Sequence, residues 1–365
     1  MSVPFIDLTR QYGAIGAELE AAVRDVLRSG RYILGPEVAA FEREMAAYCG
    51  VAEAIGVGSG TDALLIALKA VGVGPGDEVI VPAFTFVATA EVVTHLGAAP
   101  VFADIEPERH GLDAASAERL ITPRTKAIVP VHLYGRIADM DALGALARRH
   151  GLAIVEDAAQ AVGAEYRGRR AGGIGRLGCF SFYPTKNLGA LGDGGLVTTD
   201  DAALAERVRM LRDHGSRQRY FHEIPGWCSR LDAVQAAGLR VKLRHLDAWT
   251  VARRALADRY RAALAGLPLG VPQEAADERA VYHLFTIRSE RRDELKKYLD
   301  ARDIGSAVHY PMPLHRQPLY RAAGGSLPES ERAAAEVLSL PLFPELTHAE
   351  QDEVISAVRH FFAAP

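Results

Sequence analysis

From about residue 55 to 215, short apolar runs alternate with longer amphipathic stretches. Val79–Val81, Ala127–Val131, Ala153–Glu156, Cys179–Phe182 and Leu196–Thr199 are short and carry β-branched residues, which predicts strands. Most are separated by helix-like segments such as Asp139–His150. This alternation predicts an α/β unit on a mostly parallel sheet. Beyond Leu246 the rhythm changes. An Ala-rich, charged helical stretch Trp249–Leu264 leads into the Gly/Pro-rich loop GLPLGVP (266–272), a strand Tyr282–Ile287 and helices Asp293–Arg302 and His348–Phe361. Without strict strand-helix-strand order, this part reads as a smaller α+β unit.

Length and composition agree with that division. At about 150 residues per domain, 365 residues make two domains the expectation, and 49% hydrophobic with 24% charged residues is the balance of a folded chain. The 42 Lys and Arg against 46 Asp and Glu give a net charge of −4 without blocks of like charge, so nothing points to a nucleic acid polymer. Cys49, Cys179 and Cys228 are far apart and lack metal-ligand spacing, which predicts a reduced, cytoplasmic setting and no metal. Val79–Ala90 is a charge-free stretch of about a dozen residues, short of the roughly 20 that span a membrane, and the opening MSVPFIDLTR lacks the pattern of a secretory leader.

Three local features carry chemistry. Gly56-Val-Gly-Ser-Gly-Thr61 opens a helical run, where free backbone N–H groups and the positive dipole end suit a phosphate; an ordinary helix start capped by Ser59 or Thr61 reads equally well. Asp157 closes the apolar run AIVED, at the sheet edge where open α/β folds bind ligands. Such a carboxylate suits a cationic ring nitrogen, or caps a helix beginning AAQA. Lys186 follows a strand inside the Gly-rich turn SFYPTKNLGALGDGG (181–195), with the room that Schiff-base chemistry needs. Phosphate, ring nitrogen and aldehyde of pyridoxal phosphate would each gain one partner. Gly173-Ile-Gly-Arg-Leu-Gly178 matches a dinucleotide fingerprint only in letters, since a charged segment precedes it and a strand follows.

Seven motifs extend this picture: GSGTDAL (58–64), GPGDEVIVP (74–82), FTFVATAE (84–91), VEDAAQA (155–161), SFYPTKNLGALGDGG, SRLDAVQAA (229–237) and HYPMPLHRQP (309–318). Together, in order, they resemble the sugar aminotransferases of the DegT/DnrJ/EryC1/StrS family from about Val3 to the last helix. The resemblance implies the fold type I, aspartate-aminotransferase-like architecture. A large cofactor domain (1–245), opened by an N-terminal arm of about 12 residues, would precede a small C-terminal α+β domain (246–365), in a homodimer with sites at the subunit interface. It implies pyridoxal 5′-phosphate held by Lys186 as Schiff-base lysine, Asp157 at the ring nitrogen, Gly60, Thr61 and Ser181 at the phosphate, Phe86 stacked on the ring and Gln160 at the ring hydroxyl. Cys228 stands where the family usually has Asn, a residue that reaches the neighbouring subunit's cofactor phosphate.

The same resemblance implies L-glutamate as amino donor and a nucleotide-linked keto sugar as acceptor, aminated at C3, with dTDP and UDP both open. Tyr183, His309 and Tyr310 would face the sugar. Arg217, Arg219, Tyr220 and His222 would form a mobile loop over the nucleotide. A 4-keto sugar or a keto-cyclitol is the alternative acceptor, and a non-catalytic cofactor-binding regulator the alternative class. Related dehydratases carry His in place of the lysine, which Lys186 argues against.

Overall fold

The computed structural model describes residues 3–363; Met1, Ser2, Ala364 and Pro365, the outermost positions of the two expected domains, lie outside the described residues. Its centre is a seven-stranded sheet of β1 (Glu53–Val57), β2 (Glu78–Pro82), β3 (Ala99–Ala103), β4 (Thr125–Ile128), β5 (Ala153–Asp157), β8 (Leu177–Ser181) and β9 (Gly195–Thr199), in the order β1-β9-β8-β5-β4-β2-β3. The pairs from β3 across to β8 are all parallel, and β9 alone runs against its two neighbours. The sheet is therefore mixed but mostly parallel, and β5, which ends in Asp157, is its middle strand.

Alternation along each strand divides the core into two layers. Ile80, Ile128, Ile154, Phe180 and Leu196 face an apolar cluster with α2 (Pro36–Cys49), α6 (Met140–His150) and α8 (Ala233–Leu243). Val79, Val81, Val155, Cys179 and Val197 face a second cluster with α3 (Gly60–Ala70), α4 (Ala88–His95) and α7 (Ala202–Arg212). Helices on both faces bury most of the strand residues, fully so in β2 and β9, which explains their near-continuous apolar runs. The termini follow local rules: Asp139 caps α6 by accepting from Ala142 N–H, and Gly151 ends it at φ 66° beside Arg148, Arg149 and His150. A short α5 (Ala114–Glu118) lies between β3 and β4.

The C-terminal part has its own apolar cluster, drawn from α9 (Leu246–Leu264), β13 (Phe285–Arg288), α10 (Arg292–Asp300), β14 (Val337–Leu340) and α12 (His348–Ala363), with β13 and β14 antiparallel. α11 (Pro328–Glu336) precedes β14. Two small sheets complete the fold: β6 (Glu165–Tyr166), β7 (Arg169–Arg170) and β12 (Glu278–Arg279), and the hairpin β10 (Ser216–Gln218) with β11 (Phe221–His222).

Several expectations need correction. α1 (Leu8–Ser29) starts within the expected arm, at Leu8, because Asp7 accepts from Thr9 N–H and caps it. Val3 is fully buried in the C-terminal cluster, so the first described residues pack with the smaller unit. The strand expected at 127–131 ends at Ile128; Pro130 has no N–H to donate, and Val131 only bridges Asp157. The strand expected from Tyr282 begins at Phe285, since Tyr282 adopts φ 45°. Residues after Asp157 form turns, not a helix. β1 and β3 escaped notice because Gly56 and Pro100 interrupt their short apolar runs.

One buried carboxylate fixes the end of β5. Glu156 is fully buried and accepts from His132 Nε2 (2.9 Å) and from the N–H groups of Gly172 (2.9 Å), Ile174 (2.8 Å) and Gly175. His132 Nδ1 in turn accepts from Ala138 N–H, which places the ring proton on Nε2. The GIGRLG segment thus serves a protein carboxylate. Burial raises the Glu156 pKa, but the bonds from His132 and the glycine turn overcome it and leave it below its ordinary value. Glu156→Ala leaves these donors unsatisfied and should cost at least about 3 kcal/mol in urea unfolding. Because the folded pKa is depressed, this stabilisation is present above the unfolded value near 4.5 and lost as pH falls below it. The advantage of the parent over Glu156→Gln should shrink accordingly in unfolding curves taken through that range.

Candidate active site

A cavity of about 480 Å³ opens at the carboxyl end of the sheet, lined by residues of both parts of the chain. Gly60, Thr61, Phe86, Asp157, Gln160, Ser181, Tyr183, Lys186, His309 and Tyr310 all border it, so ten residues expected from the sequence meet in one place.

One wall is the start of α3. Ser59 caps the helix by accepting from Asp62 N–H (3.1 Å), which leaves the N–H groups of Gly60 and Thr61 without protein acceptors among the described residues. Ser229 Oγ donates to Asp62 (2.9 Å) and accepts from Gly58 N–H (3.1 Å), bracing the turn from the SRLD motif. The turn sits hard against the next two strands. A Cβ on Gly60 would come within 2.5 Å of Ser181 Cβ, and one on Gly195 within 2.2 Å of Ser59 O. Glycine at both positions lets free N–H groups and the Ser181 and Thr61 hydroxyls converge, a cradle that fits a phosphate.

Asp157 closes the opposite wall. Thr89 Oγ1 donates to its Oδ2 (2.8 Å) and Ala159 N–H to its Oδ1 (3.2 Å), so both oxygens are oriented by the protein. Burial pushes the Asp157 carboxyl above its ordinary pKa, against the pull of Thr89, Ala159 N–H and the Lys186 charge. A cation in the cavity would complete this opposition, which suits a protonated ring nitrogen.

Lys186 lies in the loop between β8 and β9, where a Cβ on Gly189 would stand 2.2 Å from Pro184 O. Its ammonium has no hydrogen-bond partner among the described residues. Burial lowers its pKa to about 8, with Asp157 opposing the shift. The phosphate cradle, the oriented carboxylate and a lysine with an appreciable neutral fraction at physiological pH fit pyridoxal phosphate. Phe86, 52% exposed at the cavity, offers a flat apolar face. Gln160 is already engaged: its Oε1 accepts from Tyr134 N–H (2.7 Å) and its Nε2 donates to Tyr310 Oη (3.3 Å).

Four residues expected near the nucleotide lie outside this chain's own cavity. Arg217, Arg219, Tyr220 and His222 belong to the β10–β11 hairpin and its turn, and none borders this chain's cavity. Arg217 pairs with Glu206 (3.0 Å), Arg219 lies over the Tyr220 ring and His222 meets His214 O. Cys228 is also outside, 3.0 Å from Arg230 Nη2. Conversely, sequence reading passed over Thr85, Thr89, Asp193 and His283. Thr85, Asp193 and His283 border the cavity, and Thr89 bonds to Asp157. Thr85 lies in the bend before α4, with its Oγ1 3.1 Å from Thr89 Oγ1, a contact that helical spacing does not announce. His283 was hidden in an apolar stretch; its Nδ1 meets Asn187 Oδ1 (3.2 Å), while Asn187 Nδ2 donates to Val281 O.

The lowered Lys186 pKa has a kinetic consequence. Only the neutral amine attacks an aldehyde, so cofactor-free protein should capture pyridoxal phosphate about tenfold faster per pH unit below about 8 and level off above it. Asp157→Asn removes the charge that favours the ammonium and should move the midpoint lower. Stopped-flow absorbance across the pH range reads both.

Comparison with known proteins agrees with this geometry. The pattern of the DegT/DnrJ/EryC1/StrS aminotransferase family matches residues 14–359. The chain is 55% identical to the dTDP-3-amino-3,4,6-trideoxy-alpha-D-glucose transaminase of Streptomyces venezuelae, over 98% of this chain and 96% of that protein. It is 48% identical to a pleiotropic regulatory protein of Geobacillus stearothermophilus, over 99% of each. The crystal structure of S. venezuelae DesV in complex with a ketimine intermediate superposes with a TM-score of 0.98 at 54% identity, covering 100% of this chain and 99% of that one. The cofactor is pyridoxal 5′-phosphate. A match that spans nearly the whole chain, over a cavity shaped for that cofactor, makes this protein a member of the DegT/DnrJ/EryC1/StrS aminotransferase family.

Proposed function

We propose that the protein transfers the amino group of L-glutamate to C3 of a dTDP-linked 3-keto hexose. The observation that carries this reading is the meeting of Lys186, Asp157 and the α3 phosphate cradle in one cavity, in a chain 55% identical to a dTDP-amino-sugar transaminase. When bound, the cofactor supplies an electron sink and carries nitrogen from donor to acceptor. Lys186 is the nucleophile for the cofactor aldehyde and, once free, the base that takes the donor's Cα proton; a pKa of about 8 leaves it competent for both. Asp157 holds the ring nitrogen protonated. Gly60, Thr61 and Ser181 anchor the phosphate, Phe86 covers the ring and Gln160 approaches the ring hydroxyl. Tyr183, His309 and Tyr310 bind the sugar.

The rest of the reading concerns assembly. The separate C-terminal cluster supports a domain boundary near Leu246, with residues 3–7 joined to the second unit. Exposed Phe86 and Tyr183 at the cavity and Tyr12, Leu27, Ile33 and Leu191 nearby along α1 and its neighbours support a homodimer. In it the β10–β11 hairpin, with Arg219, Tyr220 and His222, and Cys228 serve the partner's site. Among the described residues no helix is long and apolar enough to cross a membrane, and free Cys49, Cys179 and Cys228 support a cytoplasmic location. A purely regulatory role is disfavoured by a buried, lowered-pKa lysine that a binding protein has no need to maintain.

Mixing the holoenzyme with L-glutamate should replace the absorbance of the lysine-bound cofactor by that of its aminated form, and Lys186→Ala should abolish the change. A subsequent panel of nucleotide-linked 3-keto sugars, 4-keto sugars and keto-cyclitols should restore the first spectrum only with a 3-keto sugar. No response to glutamate, or restoration by a cyclitol alone, contradicts the reading. Cys228→Asn should slow loss of cofactor during dialysis, since an amide is a stronger donor to phosphate than a thiol; unchanged retention removes Cys228 from the cofactor site.

A further inference from the structure

The first described residues do more than tie down a terminus. Val3 N–H donates to Asp303 O (2.9 Å) and Val3 O accepts from Gly305 N–H (2.8 Å), adding one parallel bridge at Ile304. A few residues on, Arg10 donates from Nη1 and Nη2 to the two carboxylate oxygens of Glu350 (2.9 and 2.6 Å) and lies over the Phe343 ring. The segment between is clamped at both ends. A Cβ on Gly305 would stand 2.5 Å from Phe5 N, so glycine there lets the Phe5 backbone approach.

Clamped in this way, Phe5 stacks on His309, with ring centroids 5.8 Å apart and planes at 28°. His309 borders the catalytic cavity. Its Nδ1 lies 3.1 Å from Ser339 Oγ, which is 3.0 Å from Thr286 Oγ1 on the paired strands β13 and β14, and Tyr310 meets its ring edge-on. One ring face, one edge and one nitrogen are thus taken. Among the described residues Nε2 has no protein partner.

We propose that Phe5 is a positioning residue for the acceptor side of the site: it fixes the plane of His309 so that Nε2 is presented to the keto sugar. This rests on the function proposed above, and it couples the N-terminal segment to the substrate wall through His309. Aromatic stacking supplies what Ser339 alone does not, since a single hydrogen bond leaves the ring free to swing about it. Burial and the nearby Lys186 charge push the His309 pKa down to about 4, so the ring that Phe5 holds is neutral at physiological pH and can take part in a hydrogen bond without carrying charge.

The test uses the holoenzyme with Phe5→Ala and Phe5→Tyr. In steady-state assays Phe5→Ala should raise the KM for the 3-keto sugar between roughly threefold and tenfold, the range an aromatic pair contributes, with kcat, the KM for L-glutamate and cofactor retention little changed. Phe5→Tyr should restore the parent KM. NMR titration of His309 should show its pKa moving up toward the ordinary imidazole value in Phe5→Ala and staying low in Phe5→Tyr. A parent-like sugar KM in Phe5→Ala, equal loss in both variants, or loss of cofactor in step with KM overturns the proposal. If the parent enzyme turns over no keto sugar, the functional reading fails on its own; the His309 titration still decides whether Phe5 positions the ring, and an unshifted titration overturns that too.

Discussion

Burial works against both charges on which the site depends. Asp157 is driven toward its protonated form and Lys186 toward its neutral form by the same loss of water, and each partly restrains the other. The surrounding structure resolves this opposition unequally. Thr89 and the Ala159 N–H lend Asp157 two hydrogen bonds, whereas Lys186 receives none among the described residues. A carboxyl group oriented toward the ring nitrogen, beside an amine whose pKa is lowered far enough to populate its neutral form, is what imine chemistry at a protonated ring requires.

Holding Asp157 in place is the work of the middle strand and of what lies behind it. Glu156, its neighbour in sequence, points to the other face and is tied to His132 and to the glycine turn at 172–175. Two adjacent carboxylates thus have opposite duties: one anchors the strand end inside the protein and the other faces the cavity. Across the cavity, close approach does the equivalent work. Gly60 against Ser181 and Gly195 against Ser59 bring a helix start and two strands to contact distances that any side chain would prevent.

Much of this was legible in the chain. The β-branched runs marked five of the seven central strands, and the motifs at 58–64, 155–161 and 181–195 marked three walls of the cavity before any contact was known. Their chemistry is local: a capped helix start, a strand-end acid and a lysine in a glycine-rich turn each announce themselves within a few residues. Interruptions hid the rest. β1 and β3 contain Gly56 and Pro100, and Pro130 cut short the strand expected to reach Val131. Residues recruited through tertiary contact carried almost no signal. Thr89 reaches Asp157 from 68 positions away, His283 and His309 come from the C-terminal part, and Phe5 reaches His309 across nearly the whole length of the chain. The hairpin at 216–222 showed the opposite failure: its motif was visible, but nothing local says that it lies away from its own chain's cavity.

The central claim is that nitrogen from L-glutamate reaches C3 of a nucleotide-linked sugar through Lys186 and the cofactor. Supplying L-glutamate with an isotopically labelled amino group together with a dTDP-linked 3-keto hexose, and locating the label in the product by NMR, tests it most directly. The account predicts labelled nitrogen bonded to C3, and none when Lys186→Ala replaces the parent enzyme. Label on another carbon, or an unlabelled sugar from active holoenzyme, would contradict it.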